Sequence, residues 1–213
     1  KAHFCHGAGK RAQITDNLSL TAASRGFYRS GGRHGDRDVT SFVAFNASLG
    51  RAHLAQSDQV WAFLGKYDYV LGQEIGARSA NDTRALDRRA GRSDCVLVHE
   101  LAYHTEGGRG GGVLVGGFGD VGLTPHPLGT RVLKGRVAAA MGWAGTDIAI
   151  LSAYGVSGGD LGAQTAVWRE LVALAAAAGT PFVFGGYSQV SPALFRVSRG
   201  LHGARLLLID HLS

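Results

Sequence analysis

Lysine is nearly missing from this 213-residue chain. Four of its 22 basic residues are lysines, at positions 1, 10, 66 and 134, so the other eighteen are arginines. Against 16 acidic residues this leaves a formal charge of +6, which favours an anionic partner. Arginine's planar fork suits phosphate and carboxylate better than a lysine ammonium does. Cysteine is as scarce. Cys5 and Cys95 make no C-x-x-C and no zinc spacing, so neither a disulfide framework nor a structural zinc is implied. Cys95, in "SDCVLVHEL", reads as a buried strand residue, and His3, Cys5 and His6 as a tract in a loose terminus. Four prolines against 33 glycines mean that turns are built from glycine, which suits a strand-rich architecture and argues against a helical bundle. Charge is absent from the whole of residues 171–195. That run still makes no membrane span, because Gly179, Pro181, Gly185, Gly186 and Pro192 cut it into helix, turn, strand and loop. No secretory signal is visible, which favours an intracellular or organellar location, and the start at Lys1 without methionine fits a processed or incomplete terminus.

What is present reads as one α/β domain with a polar extension in front of it. Residues 1–38 are glycine- and arginine-rich and weakly periodic, an arm that lies on something or stays mobile. From Val39 the pattern changes. "VTSFVAFN" is a strand ending at Asn46, residues 52–65 form a helix, and "YDYVLGQE" is a second strand ending at Glu74. This βαβ unit opens both strand ends on one edge of a sheet. A helix over residues 80–90 follows, started by Ser79 with Asp82 in a capping box. Strands are expected at 95–101 and 112–116, with a flexible "HTEGGRGGG" between them. A hairpin spans 136–142 and 147–153, a long alanine-rich helix 160–179, and further strands 182–184 and 205–209. No internal repeat is present.

Two glycine motifs invite enzymatic readings. Gly117, Gly119 and Gly122 spell G-x-G-x-x-G after a strand, but Pro125 and Pro127 oppose the helix that a dinucleotide site needs next. Gly155, Ser157 and Gly159 spell G-x-S-x-G ahead of the best helix, the context of a nucleophilic serine. A serine hydrolase using Ser157 would still need an acid and then a histidine on separate later loops. Asp210 and His211 are adjacent and point apart on a strand.

The stretch "FVFGGYSQVSP", residues 182–192, has the frame of an active-site turn and no acid. Around it Asn46, Glu74, Tyr154, the Gly185-Gly186 pair and Asp210-His211 all fall at or near strand ends. In this ordered set the chain resembles the endonuclease/exonuclease/phosphatase superfamily, which includes apurinic endonucleases, deoxyribonuclease I relatives and the endonuclease domains of LINE-type retrotransposons. "SFVAFN" resembles the strand delivering a metal-site asparagine, "YDYVLGQEI" the strand ending in the metal-ligating glutamate, and "GRGGGVLV" the central hairpin. "DIAILSAYG" is similar to the strand presenting an active-site tyrosine, and "RLLLIDHLS" to a late strand carrying an aspartate. The resemblance covers residues 39–211. It implies a two-sheet α/β sandwich of the DNase I-like kind, a Mg²⁺ site at Asn46 and Glu74, and catalytic positions at Tyr154, Gln189, Asp210 and His211.

The same resemblance implies impairment. The family's Gly-Asp-x-Asn loop, whose aspartate activates water, aligns with Tyr187 and Gln189. A phenol, with a reference pKa near 10, is neutral at pH 7 and cannot replace that carboxylate. The terminal Ser-Asp-His strand is also missing, so that either His211 fills in for its histidine or the chain stops before it. A lost general base alone removes about 10²- to 10⁴-fold in rate. The expectation is a degenerate member with weakened or lost phosphodiester hydrolysis, the alternative an active Mg²⁺-dependent endonuclease. Its partner would be nucleic acid or a large protein/nucleic-acid assembly. Arg25, Arg29, Arg33 and Arg37 beside Phe27 and Tyr28, Arg109, and the stretch "TRALDRRAGR" supply contacts for phosphate and stacking platforms for bases.

Overall fold

A computed structural model of the chain describes residues 12–15, 18–28, 39–47, 51–105, 108–127, 135–155, 161–187 and 206–210. Their order is β1 (Ala12–Thr15), β2 (Leu18–Tyr28), β3 (Val39–Asn46), α1 (Arg51–Gln56), α2 (Asp58–Leu64), β4 (Tyr69–Gln73), α3 (Ala80–Gly91) and β5 (Cys95–Glu100). Then come β6 (Tyr103–Thr105), β7 (Gly108–Gly110), β8 (Val113–Phe118), β9 (Leu123–Pro125), β10 (Val137–Trp143), β11 (Asp147–Tyr154), α4 (Leu161–Ala178), β12 (Phe182–Tyr187) and β13 (Leu206–Asp210). One mixed sheet runs β1-β2-β3-β4-β8-β5, a second β13-β12-β11-β10-β9, and β6 and β7 form a separate ribbon.

Side-chain alternation along the strands builds an α/β sandwich of four layers. In β3 and β4, Phe42, Ala44, Tyr69 and Leu71 face the second sheet, where they meet Ala138, Ala140, Ile148, Ile150 and Val183. Val43, Phe45 and Val70 face the other way, onto Leu54, Trp61, Leu64 and Leu86 of the helices α1 to α3. The second sheet repeats this scheme, with Leu151, Phe182 and Phe184 packed on Val167, Leu171 and Leu174 of α4. Strands covered on both faces read as unbroken apolar runs, which is why "FVAF" and "AILSAY" look alike in sequence although their residues feed different cores.

Several expectations are refined. The helix foreseen at 52–65 is two helices, because Ser57 accepts a hydrogen bond from Val60 N (3.3 Å) and restarts the turn as an N-cap. The capping box at Ser79 and Asp82 is formed as foreseen. Within residues 1–38, foreseen as an extension outside the domain, β2 pairs antiparallel with β3 from Ser19–Asn46 to Tyr28–Val39, so a boundary at residue 38 falls between hydrogen-bonded strands. The glycine-rich stretch after β5 contains the ribbon β6–β7. Among the described residues no helix is long and apolar enough to cross a membrane.

Candidate functional site

Parallel pairing gathers the chemistry at one edge. β3 runs parallel to β4 with Asn46 opposite Gln73. β11 runs parallel to β12 with Tyr154 opposite Tyr187, and β12 parallel to β13 with Gly186 opposite Asp210. Every one of these strands ends at the residue singled out or beside it, so Asn46, Glu74, Tyr154, Tyr187 and Asp210 are carried to strand exits.

The two sheets are stitched together just beneath that edge. Gln73, fully buried, donates from Nε2 to Ser152 Oγ (3.0 Å), and Ser152 donates to the Gly72 carbonyl (3.1 Å). Gly185 lies in the same layer, where a Cβ would stand 3.1 Å from Leu71 and 3.2 Å from Ala44. Glycine there lets the second sheet approach closely enough for the Gln73–Ser152 bond.

Above this stitch the chain bends. In a continued strand Glu74 would point to the face opposite Gln73. Instead it adopts φ 51, a left-handed conformation that costs a non-glycine residue about 1–2 kcal/mol. The strained turn is held on both sides, by Ala47 N on the Gln73 carbonyl (2.8 Å) and Ile75 N on the Gly112 carbonyl (3.0 Å). Its carboxylate, partly exposed, accepts a short hydrogen bond from the Tyr154 hydroxyl of the other sheet. Tyr154 is itself fixed by Arg136, whose guanidinium lies 5.6 Å from the centre of its ring and whose Nη1 donates to the Gly155 carbonyl (2.7 Å). Arg136 is 6% exposed, so its charge sits under the site in a poorly screened setting.

Chemically, Asn46 and Glu74 offer hard oxygens from neighbouring strand ends, and Glu74 Oε2 has no hydrogen-bond partner among the described residues. Mg²⁺ accepts such a set, keeping several waters and one or two carboxylates. Among the described residues no group of three His, Cys, Asp or Glu side chains forms a fuller metal cage. The oxygen set therefore fits a hydrated Mg²⁺ held at one carboxylate, and an all-protein site is not formed by these residues.

Arg25 lies in β2 and Arg109 in β7, away from the strand exits in sequence. Gln189, His211, Ser157, Arg29, Arg33 and Arg37 lie outside the described residues, as do His3, Cys5 and His6. The G-x-G-x-x-G run leads into the strand β9, with Gly119 and Gly122 at positive φ in the turn between, so no helix N-terminus faces it. Cys95 is a buried core residue whose thiol burial pushes up to about 12. Sequence reasoning missed Arg136, Gln73 and Ser152. Their signal was present as single polar residues interrupting or bordering the apolar runs "RVAAAM", "YVLGQ" and "AILSAY". No protein-family model matches this chain, and no curated protein matches its sequence.

Proposed function

We propose that this chain is a degenerate domain of the endonuclease/exonuclease/phosphatase fold, DNase I-like in its sandwich, that acts as a nucleic-acid-binding subunit and has lost efficient phosphodiester hydrolysis. The observation that carries the reading is the strand-exit register. Asn46 stands beside the Gln73–Glu74 exit, Tyr154 opposite Tyr187, and Gly186 opposite Asp210, with the Tyr154 hydroxyl closing onto Glu74. This is the order that the resemblance implies for a metal-dependent phosphodiesterase, reached here by parallel pairing of five separate segments.

What remains is the metal half of such a site. Asn46 and Glu74 would hold Mg²⁺, which supplies Lewis-acid stabilisation of a phosphoryl oxygen when bound. Tyr154 holds the Glu74 carboxylate in place, and Arg136 holds Tyr154. The water-activating half is missing at Tyr187, a position on β12 where the family's aspartate would stand. Positioning and charge stabilisation act together in such reactions, so a cation site without a base gives little turnover. The excess of arginine over acid then serves phosphate contact rather than cleavage.

The test is Mg²⁺- or Mn²⁺-dependent nicking of supercoiled plasmid, run beside Glu74→Ala, together with duplex binding measured over a range of salt. The expected result is no nicking above the Glu74→Ala background and binding that weakens steeply with salt. Nicking that disappears in Glu74→Ala would establish the alternative, an active Mg²⁺-dependent endonuclease. Absence of both nicking and nucleic-acid binding would leave a structural subunit of a larger assembly.

A further inference from the structure

We infer that the outward face of α3 is a phosphate-binding track, formed by Arg84, Arg88 and Arg92 and joined to the strand-exit site through Arg78. The inference rests on the nucleic-acid reading above and names where on the molecule that partner lies.

Charge is left over around α3 after structural use. Residues 78–92 hold five arginines against two aspartates. Asp82 is taken up by the capping box, accepting from Arg78 N (2.9 Å) and Ser79 N (3.1 Å). Asp87 is hydrogen-bonded to His99 of β5 at 3.0 Å and so engaged away from the arginines. Of the five arginines, Arg89 is bound inward, with Nη2 2.5 Å from Asp58 and its guanidinium 5.8 Å from the centre of the Trp61 ring. The other four, Arg78, Arg84, Arg88 and Arg92, are exposed and have no ion-pair partner among the described residues.

α3 buries Thr83, Leu86 and Ala90 against the sandwich. Arg84, Arg88 and Arg92 follow one another at four-residue steps, each turned about 40° from the last and about 6 Å further along the axis. They form one ridge on the side opposite the buried residues, about 12 Å long. One strand of duplex advances about 3.4 Å per phosphate, so the ridge spans three to four phosphates. Arg88 also complements the C-terminal end of the helix dipole, but Arg84, in the middle of the helix, gains nothing from it. Arg78 stands four residues after Glu74, which makes the ridge continuous in sequence with the strand-exit site. The ridge carries no exposed aromatic residue, so it reads a phosphate backbone and no base edges.

The test uses the full chain and a fluorescein-labelled DNA duplex, with anisotropy followed from about 50 to 200 mM salt. Each lost phosphate contact makes the slope of log K against log salt shallower by about 0.9. The triple variant Arg84→Gln, Arg88→Gln, Arg92→Gln is expected to lose about 2.7 from that slope and to bind about 10²-fold more weakly near 0.1 M salt. Arg169→Gln, exposed on α4 at the other side of the sandwich, is expected to leave both unchanged. Should the triple variant fail to reach the wild-type circular dichroism, Arg84→Gln alone carries the test with a slope change of about 0.9. A variant that binds like the wild type overturns the track and leaves the nucleic-acid reading standing. A wild-type chain that binds no duplex, or binds phosphatidylserine vesicles in its place, overturns both.

Discussion

Replacing Glu74 by glycine and, separately, by alanine tests whether the strand-exit turn is held in a strained state by its role. At an ordinary helix or strand position alanine is the more stable of the two by about 0.5–1 kcal/mol, because glycine loses more backbone freedom on folding. Glu74 sits at φ 51, where any side chain with a Cβ bears about 1–2 kcal/mol that glycine avoids. Both variants lose the Tyr154 hydrogen bond equally, so it cancels in the comparison. The difference that remains favours Glu74→Gly over Glu74→Ala by about 0.5–1 kcal/mol, an inverted order.

Urea unfolding of the two variants reads this directly. With a denaturant slope of about 2–3 kcal/mol per molar, the glycine midpoint should lie about 0.2–0.5 M above the alanine midpoint at equal slope. An alanine variant that is as stable as the glycine variant, or more so, would refute the strain assigned to this turn. Both variants should also abolish any Mg²⁺-induced rise in the midpoint. A rise that persists would put the cation elsewhere.

Two further outcomes follow from buried polar groups. Ser152→Ala removes one of the three acceptors of Gln73 Nε2, the others being the Leu71 and Gly185 carbonyls, and takes the hydroxyl donor from the Gly72 carbonyl, so the urea midpoint should report a loss of about 1–2 kcal/mol, and unchanged stability would mean that the sheets are not stitched there. His126, 3% exposed, has its pKa lowered by burial from the ordinary 6.5. The unfolded chain therefore takes up a proton that the folded one refuses. Stability is complete above about pH 6.5 and falls as the pH drops from there toward the folded value. Midpoints measured through that window should lose part of their pH dependence in His126→Phe, and an unchanged profile would remove His126 as the source.

The parts of this molecule legible in the sequence are those fixed by local signals. "VTSFVAFN" ends at Asn46 as read, and Ser79 with Asp82 starts α3 as read, because strand composition and a capping box act within a few residues. At Ser57 two local rules competed. Helical periodicity continued across it, and the N-cap prevailed, dividing one expected helix into α1 and α2. The strand β2 carried only a short signal, the alternation Leu18-Ser19-Leu20-Thr21, which the surrounding glycine- and arginine-rich composition outweighed. The strand-exit placement of Glu74 and Tyr154 was legible singly, from the apolar run that precedes each. Their contact was not, because 80 residues separate them and only the approach of two sheets brings them together.

On the proposed reading, that approach also lets binding persist where hydrolysis does not. Tyr187, where the resemblance would put the water-activating carboxylate, lies on β12 of the second sheet, whereas Glu74, Arg78 and the α3 ridge belong to one continuous segment that follows β4 of the first. On the proposed reading, Tyr187 in place of a carboxylate would remove a function of the second sheet without altering a side chain of the ridge. The Gln73–Ser152 bond and the Tyr154–Glu74 bond still join the sheets, so the turn that leads into α3 keeps its shape. On the proposed reading, a chain that does not cut would still hold nucleic acid through the four exposed arginines of α3 and its entry, which have no ion-pair partner among the described residues.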